Sequence, residues 1–232
     1  MKILALETSA KACSAAVTEN GQVIASAFQN TGLTHSRTLM PMVEAMLKNA
    51  DLSISECDVI AVANGPGSFT GIRIGIAAAK GLAFAADKPM AGISTLEAMA
   101  MNCIATPALI VCAMDARRQQ VYNALFLSDG EHLSRLSPDR PIALSLLAEE
   151  IRQHGDHPIV VVGDGAHLCA GYLTENGIPC SLAPAHLLQQ NAITVALTAE
   201  KAAKEGNLCS AQDLEAVYLR AAQADKLKTR KS

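Results

Sequence analysis

Asn64-Gly65-Pro66-Gly67-Ser68-Phe69-Thr70-Gly71-Ile72-Arg73-Ile74-Gly75 is the stretch around which the chain is organised. It begins where an apolar run, Val59-Ile60-Ala61-Val62-Ala63, gives way to a Gly/Pro turn, after which Ser68 can cap a helix by accepting a hydrogen bond from a free N–H group. The order is strand, glycine turn, helix. Glycines let a backbone approach a ligand and a helix N-terminus attracts phosphate, so the turn reads either as an anion cradle or as a sharp reversal that binds nothing. It matches neither the dinucleotide fingerprint nor the P-loop pattern, whose Gly-Lys-Ser/Thr end is missing.

The helix from Phe69 to Ala86 says more. Only Arg73 and Lys80 are charged in it, so it is expected to be buried on more than one side, against a sheet and against something else. Gly71, Gly75 and Ala79 recur every fourth residue and leave a strip along which another helix can approach. Glycines inside a helix cost about 1 kcal/mol each relative to alanine, which packing must offset. The helix is therefore expected to carry a protein interface, with burial inside one domain as the competing reading.

The 232 residues are half hydrophobic, contain no Trp and carry a net charge of −3. That balance argues against strong independent nucleic-acid binding, so in an RNA reaction a partner is expected to hold the RNA. The cysteines at 13, 57, 103, 112, 169, 180 and 209 form no Cys-x-x-Cys pair and sit among apolar neighbours, which suits a reducing compartment. Met1 to Glu7 reads as a strand ended by a carboxylate, without a signal-type apolar core. Ala98 to Met114 is short for a membrane span and holds Asn102 and Pro107. A soluble, cytoplasmic protein with no membrane association is expected.

Ile3 to Leu6 and Cys13 to Thr18 read as strands, and Asn20-Gly21 as the hairpin turn that returns Val23 to Phe28 antiparallel. Thr34 can cap a helix whose Leu39, Met42, Val43, Met46 and Leu47 share a face, with Pro41 bending it or marking its first turn. A strand from Met90 to Ile93 and a helix from Thr95 to Cys103 follow the central helix. Then the pattern restarts. Leu109 to Met114 again ends in a carboxylate, Asp115; Asp129-Gly130 repeats the hairpin turn; a helix from Ala143 to His154, a strand from Ile159 to Val162 and a helix from Ala166 to Asn176 keep the order. Gly163-Asp164-Gly165 stands where Asn64 to Gly67 stood. Self-similarity of this kind predicts two homologous α/β lobes, 1–106 and 107–232, the second including a closing helix from Ala192 to Glu205, a segment around Val217 to Leu219 and a basic tail.

Two lobes that each open with strand, carboxylate and hairpin resemble the actin, Hsp70 and sugar kinase (ASKHA) architecture of tandem RNase H-like lobes. There the paired acidic turns flank a Mg-ATP cleft, a role that would fall here to Glu7, Asp115, Gly65 and Gly67. The glycines that follow the acid in those ATPases are replaced by Thr8-Ser9 and Ala116-Arg117. The cleft is accordingly read as vestigial, its carboxylates accepting local N–H bonds.

Leu4-Ala5-Leu6-Glu7-Thr8-Ser9, His35 to Leu47, the run from Asn64 to Gly75, Gly81-Leu82-Ala83, Gly92-Ile93-Ser94-Thr95-Leu96, Asp115-Ala116-Arg117 and Val217-Tyr218-Leu219-Arg220 resemble, in order, the TsaB (YeaZ) family. Members often have Asp where this chain has Glu7. The resemblance implies a non-catalytic subunit that works with TsaD and TsaE to place threonylcarbamoyl on N6 of adenosine 37 in tRNAs reading codons that begin with A. It implies a helical bundle with TsaD, or with a second copy when TsaD is absent, formed by His35, Leu39, Met42, Val43 and Met46 with Gly71, Arg73, Gly75, Ala79 and Lys80. Arg73 and Lys80 would rim that contact or only solvate the helix. The tRNA is reached through the complex, and ATP or metal is expected on the partners, with no cofactor on this chain. TsaD itself carries a His-x-x-x-His motif where this chain has Ser94-Thr95-Leu96-Glu97-Ala98-Met99, and none of its six histidines forms such a pair. A small-molecule kinase or ATPase and, behind it, a glycoprotease-like peptidase are the alternatives. Lys226, Lys228, Arg230 and Lys231 read as a solvated tail or as contacts to tRNA phosphates.

Overall fold

The structure is a computed structural model and describes residues 1–220; the basic positions from Lys226 to Lys231 lie outside the described residues. β1 (Lys2–Glu7), β2 (Cys13–Glu19) and β3 (Gln22–Gln29) form an antiparallel meander. Asn20 and Gly21 both take positive φ, 50° and 79°, as the central pair of a type I′ turn requires. α1 (His35–Asn49) leads to β4 (Val59–Gly65), which lies parallel to β1, and α2 (Phe69–Ala86) leads to β5 (Met90–Ser94), parallel to β4. The sheet order is β3-β2-β1-β4-β5. Ser68 caps α2 as expected, accepting from the Gly71 N–H at 3.3 Å, whereas the Thr34 hydroxyl makes no capping bond to α1. Pro41 lies inside α1.

After α3 (Thr95–Met101) the plan repeats with β6 (Ala108–Asp115), β7 (Gln120–Ser128), β8 (Leu133–Arg135), β9 (Arg140–Ala143), α4 (Leu144–Ile151), β10 (Ile159–Val162), α5 (Ala166–Glu175) and β11 (Ser181–Leu182). The second sheet runs β11-β10-β6-β7-β8, with β9 also on β7. β6 is antiparallel to β7 and parallel to β10, as β1 is to β2 and β4. The protein therefore has the two RNase H-like lobes of the ASKHA architecture.

The lobe boundary near residue 106 needs one correction. α6 (Ala192–Lys204) packs on the first sheet. Side chains alternate across a strand, so Leu4 and Leu6 face α1 and α2 while Ile3 and Ala5 face Ala192, Val195, Ala196 and Ala199. The chain then stays with the first lobe, Cys209 bridging to Met90 and Leu214 entering the core. The first lobe consequently owns the closing helix that the sequence boundary places in the second. A polar clamp joins the lobes: Ser94 Oγ donates to Asp139 at 2.5 Å, and Arg135 holds Asp139 at 2.7 Å and Glu97 at 2.9 Å.

Candidate functional site

Two surfaces merit a chemical reading, the outer side of α1 and α2 and the cleft between the lobes. α2 buries Ile72, Ile76, Ala79 and Ala83 against the first sheet, and among the described residues it is long and apolar enough to cross a membrane by length and composition. A Cβ on Gly71 would collide with the Thr8 carbonyl oxygen and one on Gly75 with the Thr8 hydroxyl, which itself donates to the Gly71 carbonyl at 2.8 Å. Gly71 and Gly75 thus seat α2 on the turn after β1, and Ala79 is buried in the core beside them.

Other expected interface residues are also committed inside the chain. Leu39, Val43 and Met46 are core residues, Met42 packs against that core, and the His35 ring lies 2.8 Å from the Ala10 carbonyl. Arg73 donates to the Tyr218 hydroxyl at 2.9 Å and covers the Phe69 ring at 3.7 Å, while Lys80 donates to the Gln212 carbonyl at 3.2 Å. A four-residue period identifies a helix face but not what the face meets. The outer surface comprises Ala77, Gly81, Phe84 and Ala85, with Phe84 80% exposed and, among the described residues, open space beside Gly81. Next to it lies a groove of about 410 Å³ between Met40, Pro41, Val43, Glu44, Leu47, Ile54 and Leu82.

At the cleft, Glu7 is 1% exposed; its Oε1 accepts the Ser9 N–H at 2.5 Å and its Oε2 is buried without a partner among the described residues. Burial raises its pKa from 4.5 to about 7, opposed by the neighbouring Ser9 groups and reinforced by Asp164. Asp164 is raised in the same direction by burial, opposed by a 3.0 Å hydrogen bond from Gln190. Asp115 accepts the Arg117 N–H at 2.7 Å, so both acidic turns close on the N–H two residues ahead.

The glycines here serve the chain's own backbone. A Cβ on Gly65 would strike the Val217 carbonyl, and one on Gly67 would lie 2.5 Å from the Ser9 carbonyl oxygen. The segment from Val217 to Arg220 fills that space as a strap. The Val217 N–H donates to the Asn64 carbonyl at 2.8 Å, Tyr218 stacks on Phe69 with centroids 5.0 Å apart, and Arg220 donates to the Ala116 carbonyl at 2.7 Å and to the Gln120 side chain. It therefore runs from the first lobe to the second. Ser9, Lys11, Ser68, Phe69, Asp115, Arg117, Tyr122, Asp164, Tyr218 and Arg220 line the remaining cleft of about 720 Å³. Glu7, Gly65, Gly67 and Asp115 thus each lie against the chain's own backbone.

The family model described as TsaD, tRNA N6-adenosine threonylcarbamoyltransferase, matches residues 23–176. The Escherichia coli (strain K12) tRNA threonylcarbamoyladenosine biosynthesis protein TsaB is 32% identical over 95% of this chain and 95% of its own length. The chain belongs to the TsaB family. The Bacillus subtilis TsaB is 35% identical over 72% of this chain and 73% of its own. A Pseudomonas aeruginosa crystal structure, described as an uncharacterized protein with similarity to peptidase YEAZ, superposes with a TM-score of 0.80 at 28% identity, covering 94% of this chain and 99% of that one.

In this TsaB-family chain the segment from Ser94 to Met99 serves structure. Ser94 caps α3 by accepting from the Glu97 N–H at 3.1 Å, and Ser94 and Glu97 belong to the interlobe clamp. Among the described residues no group of three or more His, Cys, Asp or Glu is disposed to hold a metal ion. The sequence reading does not single out Lys11 and Tyr122, which line the cleft, or Phe84, which stands exposed on α2. Phe84 carries a usable signal, as an isolated aromatic in an alanine-rich helix of a chain with only four Phe and three Tyr.

Proposed function

We propose that this chain acts in the biosynthesis of tRNA threonylcarbamoyladenosine as an accessory subunit of a TsaD-type transferase, with TsaE as a further member of the assembly. Its TsaB relatives carry that biosynthetic name. The observation that carries the binding mode is the outer face of α1 and α2, where Phe84 stands 80% exposed beside small residues and an adjoining apolar groove. Exposed apolar surface around a large aromatic favours a protein partner, because an aromatic anchor buried at an interface can contribute more than its neighbours combined. The partner is TsaD, and in its absence a second copy of this chain takes the same face. Cytoplasmic work on tRNA follows from this role, with the transfer chemistry on the partner.

A kinase-like reading has less support, since the strap and local N–H bonds already occupy the groups it would use. The test is capture of the cognate TsaD together with tRNA modification by the mixture, comparing wild type with Phe84→Asp. The exposed position leaves the fold intact by circular dichroism, and the expected result is a loss of binding of roughly 30-fold or more with a parallel loss of modification. Unchanged capture and modification would overturn the assignment of this face. Tight Mg-ATP binding by the chain alone, lost on Asp115→Ala, would replace the accessory reading with the kinase one.

A further inference from the structure

We propose that the mouth of the interlobe cleft is a contact surface for a single-stranded loop of RNA. The proposal rests on the preceding reading for the identity of that RNA as a tRNA, and gives the RNA a direct contact on this chain.

Phe69, Tyr122 and Tyr218 converge at the cleft in a chain with only four Phe and three Tyr. Arg73 lies 3.7 Å and 5.8 Å from the Phe69 and Tyr218 ring centroids, and Arg220 lies 5.6 Å from that of Tyr122. Tyr218 remains 39% exposed. Lys11 and Arg117 complete the rim. The Arg117 side chain is 82% exposed, with Asp115 at 3.7 Å, and Arg118 follows it on the surface. Arg117, Arg118 and Gln119 take φ of 66°, 56° and 56°, a left-handed turn that presents successive exposed side chains at the rim.

Lys11, Arg117 and Arg220 thus line the cleft with Asp115 and Asp164, Arg73 lies against Phe69 and Tyr218 beside them, and Arg118 follows Arg117, although the whole chain has a net charge of −3. Aromatic and guanidinium planes accept the face of any base, and exposed cations neutralise phosphates along a strand. Stacked bases in a duplex hide those faces, so the fit is to an unpaired loop. Cations on both sides of the cleft suit a strand of several phosphates better than one nucleotide. The acidic chain as a whole makes this an auxiliary grip beside the partner's.

The experiment is fluorescence anisotropy of a labelled anticodon stem-loop RNA, titrated at several salt concentrations with the full chain and with its complex with the partner. The variants are Arg117→Glu with Arg118→Glu, and separately Lys11→Ala on the opposite rim. The expected result for the double variant is an affinity loss of about tenfold and a log–log salt slope shallower by about one to two, with Lys11→Ala moving both in the same direction. Partner capture stays intact in these variants, which separates failure here from failure of the accessory role. Lys201→Glu on α6 serves as the charge control. Wild-type affinity and slope in the rim variants, or an equal loss in the control, would overturn the proposal. Displacement of the RNA by a millimolar mononucleotide would also overturn it in favour of a nucleotide site.

Discussion

Replacing Glu7 by glutamine isolates the cost of burying a carboxyl between two lobes. Glu7 titrates at about 7 in the folded chain against 4.5 for an ordinary Glu, so between those values the folded state holds a proton that the unfolded state has released. Raising the pH through that window favours unfolding. The stability linked to Glu7 is fully present below about pH 4.5, declines steadily and reaches its floor above pH 7, a total of about 3 kcal/mol. Glutamine is an uncharged near-isostere that keeps an oxygen for the Ser9 N–H. The gain of Glu7→Gln over wild type should therefore grow by about 3 kcal/mol between pH 4.5 and pH 8, or roughly 6–12 °C in Tm for a chain of this size. Scanning calorimetry of both proteins across that range reads the difference directly. Asp164 contributes a slope of the same sign, and because its charge helps to raise Glu7 the difference between the two proteins belongs to the coupled pair. Parallel Tm–pH curves for the two proteins would show that Glu7 titrates normally, and would refute the argument from burial.

The seating of α2 gives a paired test. Gly75→Ala must push α2 off Thr8 and should lower stability by about 1–3 kcal/mol, whereas Gly81→Ala meets open space and should raise it by about 0.5–1 kcal/mol, both read by urea midpoints. In the interlobe clamp, Arg135→Ala leaves Glu97 and Asp139 facing each other without their cation. Because the pair is partly exposed, the expected loss is about 1–2 kcal/mol, accompanied by faster proteolysis between β7 and α4; an unchanged midpoint and digestion pattern would dismiss the clamp.

The repeat is legible because it is written in local chemistry. Asn20-Gly21 favours a tight turn of one kind, β1 and β6 are continuous apolar runs, and each ends in a carboxylate whose oxygen meets the N–H two residues on. β9 and β11 are not legible: Arg140-Pro141-Ile142-Ala143 and Ser181-Leu182 are too short to show a period and become strands by pairing with β7 and β10. The corrections to the partner face have one origin. Leu39, Val43, Met46, Gly71, Gly75 and Ala79 have the small or apolar character of an interface, but burial in the chain's own core asks for the same character.

By itself the sequence determined all the elements but β9 and β11, their order, the doubling of the plan and the kinship with the TsaB family, all of which are written in short stretches of neighbouring residues. Tertiary structure alone decided that α6 returns to the first sheet, that Gly65 and Gly67 admit Val217 and Ser9, and that Arg73 and Lys80 hold the returning strap. It also left Phe84 facing outward. These outcomes join residues far apart along the chain, as in the hydrogen bond from the Asn64 side chain to the Glu215 carbonyl, 151 positions on. No local period encodes such a pairing, because it is settled only when two surfaces compete to cover the same side of a sheet.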